Sequence, residues 1–421
     1  MDRSAPQIRI SVLADEKATS GEPSTLLAGR VLSFAFEDGD EKADKLTLTI
    51  RNDDLALFEQ GEDVLGGTVL EVSWGYPGAM APPRRMIVKS IKGSLVLTVE
   101  ALDFSIQLHR ETRARGWQGL TRTEVVREIA KEYGCEGAFA DVQETTESYD
   151  TISQVGETDA SLLARLARLE GFHFWIDDLG FHWKERPLDV APTHVLTYQI
   201  GGGPGGSILE WSPESDLVRR VGKTKIVGRD PIEKKDIVEE ASATSDSERT
   251  TLGDVLEVVD PETGATHLET RNATSATRGS SVSTSARASA EAKARFRRAE
   301  RETVKLSLRV FGDPTLRAKE LVEIRGISTL FSGLYYLKAV KHVIGDGYVC
   351  EVSAIRDSKG ALARGVQAKA QGGQKNTSKA KRPGEIETFE RVDAETGGTQ
   401  IEYHRGGQVI GVEDPEAMES R

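Results

Sequence analysis

The chain has 421 residues, with 55 Lys and Arg against 67 Asp and Glu, a net charge of −12, and a hydrophobic fraction of 38%. A chain of this length makes about two to four domains, each able to bury its own core, which excludes a small stapled scaffold. The acidity disfavours sequence-independent coating of nucleic acid or anionic lipid. Two distant cysteines, Cys135 and Cys350, with no CxxC and no His at ligand spacing, indicate neither a disulfide framework nor a zinc site.

Alternation dominates the first 110 residues. In Lys45-Leu46-Thr47-Leu48-Thr49-Ile50, Leu46, Leu48 and Ile50 share one face, the pattern of a half-buried strand. Residues 68–74, 85–91 and 95–102 read as further strands, the last two joined by Lys92-Gly93-Ser94 at hairpin spacing. Together they predict a small barrel or sandwich. The period then changes. Thr121 leads into Val125, Val126, Ile129, Ala130 and Tyr133, an amphipathic stripe ended by Gly134. A second helix starts at Thr158 or Asp159, carries Leu162, Leu163, Leu166 and Leu169 on one face, and stops at Gly171. Residues 172–184 follow as an aromatic hairpin turning at Asp177-Asp178-Leu179-Gly180, so that 111–187 reads as a small α+β unit.

The run Gly201–Gly206 resembles a phosphate-cradling loop, but no Lys-Ser/Thr follows and no strand-to-helix context opens there, so a linker is the simpler reading. Strand character returns at 207–211, 217–227 and 255–259, and 285–301, rich in Ala, Arg and Glu, reads as a helix. A second β unit closes the ordered body with strands at 303–310, 321–325, 333–343 and 348–355, the last pair turning at Asp346-Gly347. Residues 358–384 have tether composition, locally basic through Lys369, Lys375, Lys379, Lys381 and Arg382. Short strands follow at 386–392, 400–404 and 408–412. One internal echo stands out: 259–269 aligns without gaps to 392–402, both with turn residues between strand-like flanks, which predicts two hairpins sharing turn chemistry.

Chemistry is sparse. None of His109, His173, His182, His194, His267, His342 and His404 stands in HExxH or four residues from another His or Cys, there is no GxSxG, and no Cys lies near a plausible base in the sequence. His173 and His182 flank the aromatic hairpin turn, where packing against Phe and Trp is the expected role, and Asp177-Asp178 suits a turn for backbone reasons. Phe172, Phe174, Trp175, Phe181 and Trp183 read as core beside the leucine-striped helix. No catalytic, cofactor-binding or metal residue is therefore assigned, no cofactor is expected, and the chain is not read as an enzyme. No run approaches the ~18–20 apolar residues of a spanning helix, and the first residues lack the apolar stretch of a secretory signal, so assembly in the cytosol without membrane insertion is expected.

Three stretches resemble the late control D family, the baseplate hub proteins of contractile phage tails and related injection machines, and the hub portion of type VI secretion VgrG proteins. They are Gly156–Phe174, with an acidic start, a leucine helix, a glycine and an aromatic strand; Thr121–Tyr133; and Gly312–Leu316 with Leu321–Gly326, Gly333–Tyr336, His342 and Gly347-Tyr348. The resemblance covers roughly residues 5–357. It implies a mainly β fold with an α+β insertion: a tube-like β-barrel at 1–110, the α+β domain at 111–187, a second tube-like barrel with a helical segment at 188–357, a linker at 358–384 and a β-hairpin appendage at 385–421. It also implies a structural homotrimer joining a sixfold tail tube to a threefold spike, with tail tube, central spike and baseplate wedge proteins as partners. DNA or cargo would pass through its lumen, in a virion or tail-like particle assembled in the bacterial cytoplasm. After residue 357 only 64 residues remain, too few for the spike domains that follow the hub in VgrG chains, so the spike is expected on a separate protein. Two rival readings are a type VI VgrG-like spike component or effector adaptor, and a tail-associated cell-wall hydrolase, which requires a cleft with two carboxylates at hydrolase spacing.

Overall fold

The structure is a computed structural model that describes residues 5–13, 22–24, 27, 29–40, 42–59, 68–177, 180–186, 190–199, 206–215, 221–229, 234–242, 255–259, 266–270, 273–278, 284–301, 304–328, 331–356, 387–392, 399–405 and 408–413. The chain divides into two compact units, Met1–Arg364 and Gly365–Arg421.

The first unit begins with β1 (Gln7–Leu13), β2 (Val31–Gly39), β3 (Lys45–Arg51), β4 (Val69–Tyr76), β5 (Arg84–Gly93) and β6 (Val96–Leu102). The alternation read in the sequence is realised here: Leu46, Leu48 and Ile50 of β3 are fully buried while the threonines between them are not. Each such side chain contributes roughly 1.5–3 kcal/mol of burial. The β5–β6 hairpin turns beyond Gly93, where φ is +108° and an added Cβ would meet the Val96 carbonyl oxygen at 2.1 Å, a site only glycine tolerates.

The insertion contains β7 (Thr112–Trp117), α1 (Arg122–Glu132), β8 (Ile152–Thr158), α2 (Asp159–Glu170) and the aromatic hairpin of β9 (His173–Asp177) and β10 (Gly180–Lys184). Both helices start as the sequence predicts. The Thr121 and Glu124 side chains form a capping box on α1, and the Thr158 hydroxyl accepts from the Ser161 amide at the start of α2. Gly171 ends α2 in the left-handed conformation at φ +77°. Val125, Val126, Ile129, Leu162, Leu163 and Leu166 pack with Phe172, Phe181 and Trp183 into one core of this insertion.

Next come β11 (His194–Thr197), β12 (Ile208–Ser215), β13 (Val221–Arg229), β14 (Asp236–Ser242), the hairpin β15 (Val255–Val259) and β16 (Thr266–Thr270), β17 (Ala273–Arg278), and α3 (Ser285–Arg301). Helix α3 lays Ala288, Ala292 and Phe296 on Ile226 and Ala241 of the β14-β13-β17 sheet. The unit closes with β18 (Val304–Phe311), β19 (Leu321–Arg325), β20 (Gly333–Ile344) and β21 (Tyr348–Arg356).

The fold is mainly β with a helical insertion, as the sequence predicts, and the structure adds how the two β regions join. They form one sheet in the order β12-β18-β21-β20-β2-β3-β6-β5-β4-β1. Strand β20 is the fork. One edge pairs with β21, and the other pairs first with β19 through residues 333–336 and then with β2 through residues 339–344. A register shift between Leu337 and Ala339 marks the crossover, where the Asp40 amide donates to the Lys338 carbonyl at 2.9 Å. The second β region closes on itself: β11 runs parallel to β19, the Ser207 amide just before β12 donates to the Thr197 carbonyl, and β12 pairs β18. A single hydrophobic cluster runs through both regions, from Phe34, Phe36 and Trp74 to Leu306, Val340 and Tyr348.

In the second unit, β22 (Glu387–Val392), β23 (Thr399–Arg405) and β24 (Gln408–Glu413) form an antiparallel sheet. The internal echo is two hairpins, as expected. Val259 pairs Thr266 and Val392 pairs Thr399, the same aligned positions in each copy. The glycine run at 201–205 and the tether at 358–384 lie outside the described residues.

Candidate functional site

The most heavily charged buried region lies at the sheet fork. The turn between β2 and β3 is bracketed by Asp38, Asp40 and Asp44, all buried. Lys319, immediately before β19, places its Nζ 2.6 Å from Asp38 Oδ1 and 3.6 Å from Asp44 Oδ1. It holds a left-handed backbone at φ +70°, unusual for a residue with a side chain, and its amide donates to the Leu337 carbonyl at the fork. Asp38 also accepts from the Ala318 amide at 3.0 Å, and Asp103 accepts from the Asp44 amide at 2.9 Å and from Ser105. Burial pushes the Asp38 carboxyl up, but the charge and hydrogen bond of Lys319, with Arg84 and the Ala318 amide, bring it below the usual carboxylate range. Asp44 goes the other way: burial and the neighbouring Asp38 charge hold it well above that range, and burial also raises Asp103.

Asp40 faces the insertion. It pairs with Arg186, accepts from the Tyr336 hydroxyl at 2.9 Å and has His173 Nδ1 at 3.7 Å. The Arg186 guanidinium lies 4.4 Å over the Tyr336 ring. These contacts tie the α+β insertion to the fork. Two clefts flank the cluster. One of about 300 Å³ lies between the β2–β3 turn, the α2 face and β9; the other, of about 590 Å³, lies between β4, β5 and the aromatic hairpin.

The fold also makes a pair that inspection of motifs misses. His342 and Cys350 are opposite each other across the β20–β21 hairpin, with Cys350 Sγ 3.3 Å and the Tyr348 hydroxyl 2.7 Å from His342 Nδ1. Counting outward from the predicted Asp346-Gly347 turn would have found it. The pair is not an activated nucleophile. Burial pulls His342 down to about 4 and pushes the Cys350 thiol up to about 12, so the imidazole cannot take the thiol proton. Phe36 and Trp74 enclose His342, and the cluster is part of the core.

His182, expected to pack, stacks on Trp175 at 4.8 Å and 13° and also contacts Asp177 at 3.0 Å and Asp141 at 3.3 Å. His173 reaches Asp40 across the junction, a contact its sequence position does not suggest. Lys319, Asp38 and Arg186 carry no sequence signal, since 281 residues separate the first two. Among the described residues no group of three or more His, Cys, Asp or Glu could hold a metal ion, and no helix is long and apolar enough to cross a membrane.

In overall fold, the chain is similar to two solved tail proteins and to a type VI secretion component. The structure superposes on the tail protein from Neisseria meningitidis MC58 with a TM-score of 0.60 at 15% identity, covering 84% of this chain and 97% of that one. The 43 kDa tail protein of prophage MuSo2 from Shewanella oneidensis gives 0.58 at 14% identity, with 84% and 99% covered. The E. coli c3393 protein, described as a component of the type VI secretion system with structural similarity to T4 bacteriophage tail proteins gp27 and gp5, gives 0.52 at 11% identity, with 95% and 92% covered. Among curated proteins, no sequence matches. By sequence family, the chain belongs to the family described as Alg8 N-terminal domain (Alg8_N), whose model matches residues 60–346. Those bounds start before β4 and end in the β20–β21 turn, so the match cuts across both β regions and contains the whole insertion.

Proposed function

We propose that this chain is a structural, non-enzymatic baseplate hub of a phage tail or tail-like injection particle, assembled in the bacterial cytoplasm. In this reading it forms a homotrimeric ring that adapts a sixfold tail tube to a threefold spike. The observation that carries the reading is the shared fold over 84–95% of the chain with two tail proteins and a type VI component. The proposed domains are 1–110 and 188–357 as the two tube-like parts, 111–187 as the α+β part, 358–384 as a linker and 385–421 as an appendage that docks by strand addition on a spike or wedge protein.

Subunit contact has a candidate surface. Leu32 and Leu55, with Phe58 and Leu95 at 56% exposure and Val96 at 49%, gather at one end of the first β region. The Asn52 amide donates to the Leu95 carbonyl at 2.7 Å, and Arg51 pairs Val96, which holds these segments side by side. Exposed large apolar groups so close together are the kind of patch that subunits cover. The test is native mass measurement of the full chain with and without a separate spike protein encoded beside it. A trimer in the presence of the spike is expected, and F58E/L95E should shift it to monomer with unchanged circular dichroism. A chain that stays monomeric with the spike present would overturn the hub reading. The type VI component reading draws on the 95% coverage by the E. coli protein and predicts neighbouring secretion genes rather than tail sheath genes.

A further inference from the structure

The 300 Å³ cleft between the β2–β3 turn, α2 and β9 has a composition that the ionic cluster does not account for. Its apolar lining comes from Phe172, Phe174 and Trp175 of the aromatic hairpin region, with Ala160, Ala164 and Ala167 on one side of α2. Small side chains at these positions leave room above the rings. The two carboxylates that reach the cleft are already engaged. Asp40 is held by Arg186 and Tyr336, and Asp103 by Ser105 and the Asp44 amide.

Lys42 and Arg168 are in the opposite condition. Lys42 is exposed at the rim and has no hydrogen bond or ion pair among the described residues. Arg168, also exposed, uses only its Nε, which donates to the Ala164 carbonyl at 3.1 Å; its terminal nitrogens have no partner among the described residues. Arg298 of α3 completes the basic side of the rim. An aromatic floor under a cationic rim, with its own acids internally neutralised, is complementary to an apolar body bearing carboxylates. It is also locally opposite in sign to a chain whose net charge is −12.

We propose that this cleft is a docking site for an acidic peptide segment of a partner protein, one apolar side chain entering against Phe174 and Trp175 while flanking carboxylates pair with Lys42 and Arg168. Charge complementarity selects a short acidic peptide over nucleic acid, because three cations at one rim of a chain with net charge −12 make no continuous basic track for a phosphate backbone. The proposal does not depend on the hub reading.

The test uses the full chain and a fluorescein-labelled peptide of alternating Glu and Leu around one Phe, followed by anisotropy at about 50 mM salt, where surface charges are weakly screened. Saturable binding is expected. It should weaken at least tenfold when Gln replaces every Glu in the peptide, and at least tenfold in K42E/R168E, whose exposed substitutions should leave circular dichroism unchanged. If that double variant misfolds, K42Q/R168Q replaces it with the same expectation in weaker form. An absence of binding, equal binding of the Gln peptide, or undiminished binding to a folded charge variant would overturn the proposal.

Discussion

Replacing Lys319 with Met removes the cation from the fork while keeping the volume of its stem. At an effective dielectric constant of ~20, unit charges separated as Lys319 Nζ is from Asp38, 2.6 Å, attract by roughly 6 kcal/mol. Desolvation of the two buried ions offsets most of this, and breaking a buried pair by deleting one member costs a net of about 3–5 kcal/mol, the order of magnitude found for such sites. K319M should therefore lose about that much in urea unfolding at pH 7, followed by near-ultraviolet circular dichroism, which reports on buried Tyr336 and its neighbours.

The pH dependence supplies a second readout. Asp38 is depressed in the folded chain, so its contribution is present above the unfolded carboxylate pKa and lost as pH falls through the lower folded value. Asp44 is raised, so the favourable contribution of its protonated form is present below the unfolded pKa and lost as pH rises through the folded one. Without Lys319, Asp38 joins Asp44 on the raised side. The deficit of the variant should then shrink from pH 7 to pH 5, and K319M/D38N should recover most of it, since the neutral amide leaves no unpaired charge buried at that position. A loss below about 1 kcal/mol at pH 7, or a deficit that grows on acidification, would refute this account of the fork.

Two further predictions concern the β20–β21 hairpin. A Cβ at Gly312 would lie 2.2 Å from Cγ of buried Tyr348, so G312A should cost about 1–3 kcal/mol by overpacking and lower the thermal midpoint, a loss that Tyr348→Leu in the same chain should partly relieve. Cys350, buried and with its thiol pushed up to about 12, should resist iodoacetamide at pH 8 in the native chain and react in urea, while half-exposed Cys135 reacts first; mass spectrometry of the alkylated chain reads both.

Local elements were legible to a degree that follows from their physics. Sequence pattern predicts the α3 span 285–301 and the strand at 321–325 with the bounds observed, and the helix starts at Thr121 and Thr158 rest on caps whose partners lie three residues along the chain. The strands at Gln7–Leu13, Val31–Gly39, Thr112–Trp117 and Ile152–Thr158 lie outside the predicted elements. In the last two, Arg and Glu positions such as Arg115 and Glu157 weaken the apolar pattern, because those charges pair across the insertion with Asp159 and Arg165. The fork cluster was out of reach for a different reason: a lone Lys or Asp in a loop has the same sequence appearance whether it is solvated or buried against a partner far along the chain.

What the sequence alone determined is what short-range physics encodes: the period of each element, its caps and turns, the matched hairpins at 259–266 and 392–399, and hence a mainly β chain with a helical insertion. Tertiary structure decided which strands meet. The second edge of β20 could pair β19 or β2, and it pairs both, on either side of a one-residue register shift. Alternation specifies the buried face of a strand but not the neighbour along its edge. That choice joined the two β regions into one sheet and brought Lys319 to Asp38, while packing of the insertion set Lys42 of the β2–β3 turn and Arg298 of α3 beside α2 and β9.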